Sequence, residues 1–267
     1  MPDYRATVGN VDLVSLADGQ RGSAPTDMFP ESSLEIWKTD YPELLDENAN
    51  LRLRWGSVAM RSGGKLIIVD TGLQAPDGTL LRQMHDRGID REAVDLVVLT
   101  HLHADHVGWN LTNGRPTFPG ARYLVPRRDW EYWTQPAVLA GSPHIRDQVM
   151  RLEELRVMDL IDGEYALTDE ITTLETPGHT PGHTSIVIAS AGQQGFILGD
   201  VAHSVAQAHY TDWNPGFDID GTTSRRTRHS VLDRLEADGS LVSAGHFPDP
   251  GFGRFVRSGG RRIWQAI

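Results

Sequence analysis

His101-Leu102-His103-Ala104-Asp105-His106 follows directly on the apolar run Leu96-Val97-Val98-Leu99. Such a run reads as a strand, and extended chain sends alternate side chains to the same side. His101 and His103 therefore converge on one point, while Asp105 and His106 can turn toward a second. Imidazole and carboxylate are ligands that divalent transition metals take. Three unrelated histidines in a polar loop would instead bury polar groups at a cost. The hexapeptide reads as a metal site.

Three later segments repeat the arrangement, each ending an apolar run in a candidate ligand: Glu175-Thr176-Pro177-Gly178-His179, Ile197-Leu198-Gly199-Asp200 and Ser243-Ala244-Gly245-His246. The glycine before each ligand lets the backbone turn sharply and approach closely. A lone His or Asp after a strand is ordinarily a turn or cap residue. Together with the hexapeptide, these segments can present five histidines and two aspartates at one sheet rim. The tandem Thr-Pro-Gly-His at 176–179 and 180–183 leaves His183 an alternative to His179, and spacing alone does not choose between them.

Around these segments the pattern predicts strands at Tyr4 to Val8, Val11 to Leu16, Leu51 to Met60 and Lys65 to Val69. Ser62-Gly63-Gly64 is a hairpin signal between the last two. Helix is expected at 78–88, Arg128 to Trp133, His144 to Leu155 and 222–237. Further strands fall at 95–100, Tyr123 to Val125, 156–160, 171–175, 184–189, 195–199 and Leu241 to Ala244, with a closing pair over 252–267. Strands with intervening helices predict sheets packed face to face with helices outside. Residues 20–50 lack a period but carry Met28, Phe29 and Trp37, so they read as a packed lid or as a dimer contact. No long linker divides the chain, and residues 1–267 are expected to form a single domain.

The net charge of −11, from 25 basic and 36 acidic residues, opposes a phosphate backbone, so no nucleic-acid partner is expected. Apolar runs of four or five residues are too short to span a membrane. Met1-Pro2-Asp3-Tyr4-Arg5 has no basic segment leading into an apolar one, so no signal peptide and a cytoplasmic location are expected. Cysteine is absent, which excludes a disulfide framework, a thiol nucleophile and sulfur-ligated zinc. Any metal here is held by nitrogen and oxygen.

The hexapeptide, preceded by Val69-Asp70-Thr71-Gly72 and followed by His179, Asp200 and His246, resembles the metallo-β-lactamase fold superfamily from about residue 52 to 250. The resemblance implies an α/β protein: an αββα sandwich of two mixed sheets with helices on the outer faces. It also implies two divalent ions at one edge of the sheets, zinc first and manganese, cobalt or iron as alternatives. His101, His103 and His179 would bind one ion, Asp105, His106 and His246 the other, and Asp200 would bridge them. Asp70 would hold the ligand loop in place. The family pattern favours His179 over His183, which becomes a structural hydrogen-bonding group. His85, His144 and His229 fall on predicted helices and are expected to be solvated.

Within that superfamily, Asp200 and the lack of cysteine argue against a β-lactam role. His103 argues against the flavodiiron type, which carries Glu there. The lack of a basic arm argues against the tRNA-processing members, and the short tail against glyoxalase II-like ones. What remains resembles the lactonase and methyl parathion hydrolase-like branch, through Gly199-Asp-Val-Ala-His203 and Ala244-Gly-His246-Phe-Pro248. Quorum-quenching lactonases often have tyrosine in place of His203.

The implied reaction is attack by a metal-bridging hydroxide on a lactone or another carboxylic ester, with a phosphotriester as the alternative substrate. Asp105, Asp200 and His203 are the residues expected to act in it. His203 would serve as a substrate contact or as a proton donor to the leaving group. Met28, Phe29, Trp37, Trp109 and Phe247 are candidate walls of an apolar pocket. A mononuclear iron oxidoreductase resembling persulfide dioxygenase is a rival on the same fold, and it would not need Asp105 or His106 as ligands. A structural metal protein is a weaker rival, because such sites are coordinatively closed.

Overall fold

The computed structural model describes residues 4–74 and 76–267. The first three residues, on which the expectation of no leader partly rests, lie outside them. Among the described residues there are two seven-stranded sheets and a small two-stranded one. In spatial order the first sheet runs Arg5–Val8, Val11–Ser23, Leu51–Ser62, Lys65–Val69, Leu96–Val98, Arg122–Pro126 and Met158–Ile161. Its first four strands pair antiparallel and the last three join in parallel. The second runs Ala166–Thr168, Ile171–Glu175, Thr184–Ser190, Gln193–Ile197, Leu241–Ser243, Phe252–Ser258 and Arg261–Ala266. It is antiparallel except where Gln193–Ile197 meets Leu241–Ser243. Parallel neighbours need crossover connections, and the helices Leu80–Asp86, Arg127–Trp133 and Gly221–Asp238 lie in them.

Side-chain alternation explains the layering. Ile67, Val69, Val98 and Leu124 point between the sheets and meet Ile186, Ile188 and Ile197 of the second. Their neighbours Leu66, Ile68, Val97, Tyr123 and Val125 point outward into a cluster with Leu80, Met84, Val149 and Leu152. With both faces covered, these strands read as continuous apolar runs rather than alternating ones. The outer face of the second sheet meets Val231, Leu232 and Leu235 of the Gly221–Asp238 helix through Phe196, Val242 and Phe255. Helices therefore cover the outer face of each sheet, giving the αββα order.

Strand register sets the functional rim. Val69 lies opposite Val98, Glu175 opposite Thr184, Ile186 opposite Ile197, and Ile197 opposite Ser243. The segments that follow Val69, Val98, Glu175, Ile197 and Ser243 thus leave the sandwich together. The turn between Ser62 and Lys65 is closed by Gly63 and Gly64, with φ of 57° and 78°, as the hairpin signal required.

Residues 20–50 are more ordered than their sequence suggests. The second strand continues to Ser23, and short helices follow at Pro25–Met28 and Leu34–Asp40. Helices of one or two turns are too short to display a period. Phe29 and Trp37 are fully buried, stacked on each other and packed against Trp213. The segment is therefore fastened to residues 206–216 of its own chain, and Arg225 pairs with Glu31 at its surface. The expected 144–155 helix begins in π geometry over Ile145–Met150 before continuing as Arg151–Glu154. No helix among the described residues is long and apolar enough to cross a membrane.

Ile186 is fully buried between the sheets. Ile186→Ala is expected to lower unfolding free energy by about 3 kcal/mol through lost transfer energy and the cavity left behind. Chemical denaturation should show this as a lower midpoint with an unchanged slope.

Candidate metal centre

Each strand end delivers its residues by a local device. Asp70 adopts φ 60° immediately after Val69, a conformation aspartate tolerates better than most residues. Its carboxylate accepts from the Thr100 backbone N–H and hydroxyl, each at 2.8 Å, and from His106 Nδ1 at 2.8 Å. Backbone bonds from Thr71 to His106 and from Gly108 to Gly72 fasten the same two loops. Gly199 has φ 57°, and a Cβ there would lie 2.5 Å from His183 Nε2, so only glycine fits.

The outer nitrogen of most central imidazoles is committed to an acceptor. His106 Nδ1 donates to Asp70, His179 Nδ1 to Asp218 at 2.9 Å, and His246 Nδ1 to the Arg54 carbonyl at 2.7 Å. Carboxylates and carbonyls only accept, so these nitrogens carry the protons. Thr100 gives its hydroxyl proton to Asp70 and so accepts from His101 Nδ1 at 3.0 Å. With Nδ1 carrying the proton, the Nε2 of all four rings faces inward, and in the neutral form it presents a lone pair there.

There they meet another acceptor. Asp200 Oδ2 lies 3.1 Å from His246 Nε2, 3.2 Å from His179 Nε2 and 3.7 Å from His101 Nε2, and Oδ1 lies 3.3 Å from His106 Nε2. His103 Nδ1 sits 3.0 Å from His101 Nε2 and 2.8 Å from His179 Nε2. His106 Nε2 and Asp200 Oδ1 are buried with no hydrogen-bond partner. Lone pairs crowded on a carboxylate repel unless a cation lies among them, so the donor set fits divalent metal. One ligand atom from each of His101, His103, His179 and Asp200 can be chosen so that all four lie within 4.8 Å of one another, and the same holds for Asp105, His106 and His246.

The electrostatics of the site favour positive charge. Burial works against charge on His179, but hydrogen bonds to Asp200 and Asp218 outweigh it and raise its pKa to about 9. His106 and His246 are also raised against burial, chiefly by Asp200. Burial and neighbouring imidazoles push His101 and His103 well down. The carboxylates demand positive charge here, and the rings cannot all supply it.

His183 has a different task. Its Nδ1 donates to the Thr176 carbonyl at 3.0 Å and its Nε2 accepts from the Asp200 backbone N–H at 2.8 Å. With both nitrogens used, it holds the Asp200 turn, and burial keeps it neutral with a pKa of about 3. His203 places Nε2 3.0 Å from Asp200 Oδ2, while its ring stacks on His246 at 5.2 Å. Its Nδ1 is buried without a partner, and burial lowers its pKa to about 4.

A cavity of about 480 Å³ opens beside the cluster, within the range of small-molecule sites. His103, Asp105, Asp200, His203 and His246 reach it from the cluster, and Met28, Leu53, Trp55, Leu73 and Phe217 supply apolar wall. Of the five expected wall residues only Met28 is there. Phe29 and Trp37 pack on Trp213, and Phe247 on Phe255 and Trp264, which leaves Phe29, Trp37 and Phe247 fully buried. Trp109 packs against the outer core, its indole N–H donating to Asp18 at 2.9 Å. Large apolar side chains next to ligands in sequence were drawn into the core because burial there removes more area from water. His144 also departs from expectation: half-buried, its ring lines the cavity with Nε2 3.1 Å from the Leu102 carbonyl. His85 and His229 are exposed as expected.

Three carboxylates that tie the site together were not foreseen. Asp129 is fully buried and accepts from Leu102 N at 2.9 Å and Gly182 N at 2.6 Å, joining the two histidine loops. Asp18 accepts from Leu73 N, Gln74 N and Leu80 N. Asp218 orients His179 and lies 3.6 Å from buried Arg228. None has a local sequence signal, since each acts on a loop distant in the chain.

Residues 57–246 match the metallo-beta-lactamase superfamily. The chain is 33% identical to the N-acyl homoserine lactonase AttM of Azorhizobium caulinodans over 183 residues, 65% of each protein. It is 31% identical to AttM of Rhizobium radiobacter, over 62% of this chain and 63% of that protein. Both matches thus span a little under two thirds of the relatives. A hydrolase named AbOPH, in the beta lactamase superfamily, superposes with a TM-score of 0.89 at 25% identity, covering 100% of this chain and 97% of its own. AidC, a dizinc quorum-quenching lactonase, shares the fold with a TM-score of 0.85 at 21% identity over 98% and 96% of the two chains. The chain belongs to the metallo-beta-lactamase superfamily, a fold class defined by the sandwich and rim described above.

Two outcomes test the scaffold. Asp129→Ala strands two backbone N–H groups and is expected to cost about 2–4 kcal/mol in denaturant unfolding. His183 is neutral when folded but takes a proton below about 6.5 when unfolded, so its contribution to stability falls as pH drops from 6.5 toward 3. The stability advantage of the native protein over His183→Gln should therefore shrink by about 1.4 kcal/mol per pH unit in that window. Unfolding of both proteins at a series of pH values measures it.

Proposed function

We propose that this protein is a metal-dependent hydrolase that opens a lactone or cleaves another carboxylic ester at a pair of divalent ions, with zinc as the metal. The carrying observation is the convergence of imidazole nitrogens on the buried Asp200 carboxylate in a chain without cysteine. The lactonase relatives support the lactone, and the dizinc lactonase of the same fold supports zinc. Nitrogen and oxygen donors also suit manganese, cobalt and iron.

His101, His103 and His179 would hold one ion, Asp105, His106 and His246 the other, with Asp200 between them. When bound, such a pair supplies an acidified water at neutral pH and a Lewis-acidic seat for a carbonyl oxygen. The chain's own residues do the rest. Asp70, Asp218 and the Arg54 carbonyl fix the tautomers that aim lone pairs inward. Met28, Leu53, Trp55 and Phe217 give the substrate an apolar seat and exclude water. His203 touches both Asp200 and the cavity, so it can pass a proton between that carboxylate and the leaving oxygen.

The second triad of ligand atoms, Asp105, His106 and His246, supports two ions and speaks against a mononuclear oxidoreductase. A phosphotriesterase is the second reading, favoured by the histidine at position 203.

Proton release from an aliphatic lactone by zinc-loaded protein tests the reading, with His101→Ala as control. Metal-dependent turnover that disappears in the control is expected. Two bound ions with no turnover on lactones or esters would exclude it and move the assignment to phosphotriesters. His203→Phe is expected to lower kcat about 100-fold while metal content stays at the native level, as loss of a proton-transfer group requires.

A further inference from the structure

One wall of the cavity is built by two paired strands. Arg21 lies opposite Leu53 in the antiparallel register of Val11–Ser23 with Leu51–Ser62, so both side chains leave the sheet on one side. Ser23 and Trp55 lie two residues further along and share that side. All four line the cavity. Arg21 is exposed, and among the described residues no carboxylate or carbonyl takes its guanidinium. Several surface arginines are paired, for example Arg122 with Asp159, Arg127 with Asp162 and Arg257 with Glu236, whereas Arg21 combines an open guanidinium with a place on the cavity wall.

The cavity's other full charges are Asp105 and Asp200, which belong to the metal cluster. Arg21 is its one arginine or lysine. On a chain of net charge −11 the long-range field repels anions, so an unpaired cation at this wall is a local exception. Guanidinium presents a planar fork that matches a carboxylate in two parallel hydrogen bonds. Met28, Leu53 and Trp55 offer apolar surface in the same cavity for a methylene stem.

We infer that Arg21 determines specificity by taking the carboxylate of an anionic substrate: an ester or lactone whose acyl chain carries a carboxylate away from the scissile carbonyl. This rests on the hydrolase reading above for what happens at the metal end, while the anion preference belongs to Arg21 itself. A neutral substrate would leave Arg21 to water and gain nothing from it.

Monomethyl adipate and methyl hexanoate share ester and chain length and differ in a terminal carboxylate against a methyl group. Zinc-loaded native protein is expected to show kcat/KM about 5-fold higher for the adipate ester, a modest factor because Arg21 is exposed. The preference should shrink at high salt. In Arg21→Gln the ratio should fall to one or below, the loss falling mainly on the adipate ester. Equal turnover of the two esters by native protein, or an unchanged ratio in Arg21→Gln, overturns the inference.

Calorimetric binding of the unreactive ketone analogues, a keto acid with acetyl in place of the ester and methyl pentyl ketone, separates the two claims. If neither ester is hydrolysed but the keto acid binds more tightly to native protein and not to Arg21→Gln, the hydrolase reading falls and the anion site stands. If esters are hydrolysed without preference and the keto acid binds no tighter, the anion site falls alone.

Discussion

Asp200 is a carboxylate 3% exposed to solvent whose near neighbours are mostly lone pairs. An uncompensated charge in that setting costs several kcal/mol, and acceptors crowded on it add repulsion. The surrounding structure is organised to hold this arrangement. His183 grips the Asp200 backbone, Gly199 supplies the turn that lets His183 approach, and each facing ring is pinned from behind. A site that repels itself without a cation has much of its binding energy stored in its fold, so metal and scaffold are coupled.

The pins share one chemistry. Asp18, Asp70 and Asp129 each accept two or more N–H or O–H groups from loops remote in sequence. A buried carboxylate that collects donors in this way stays satisfied, and it fixes the distance between the loops it joins. The metal centre is thereby suspended between both sheets: His101, His103, Asp105 and His106 leave the first, and His179, Asp200 and His246 leave the second. Relative movement of the sheets would be felt first at Asp200, which faces ligands from both.

The cavity walls follow other rules. The ligands come from strand ends, whereas Arg21, Leu53 and Trp55 come from the long antiparallel pair and Met28 from the helix after it. The 206–216 region, which carries Trp213, holds that helix in place through the aromatic packing of Phe29 and Trp37. Much of the apolar cavity wall therefore comes from a different part of the chain than the ligand candidates, although His103, Asp105, Asp200 and His246 reach the cavity too.

The hexapeptide and the three glycine-preceded strand ends made the donor set readable, because ligand chemistry demands those residue types and a sheet rim demands that spacing. Both sheets and the main helices were legible for a related reason: apolar runs covered on two faces leave a local mark. Of the cavity walls only Met28 was legible. Phe29, Trp37, Trp109 and Phe247 look like pocket residues in sequence, and packing density alone took them into cores. Asp129, Asp18 and Asp218 look like ordinary surface aspartates until loops far apart in the chain bring donors to them. Residue type and short spacing, which sequence carries, determined the chemistry of the centre; which side chains reach water, which reach the cavity and which carboxylates bind loops together was decided only by tertiary structure, because those depend on contacts between segments that no local pattern records.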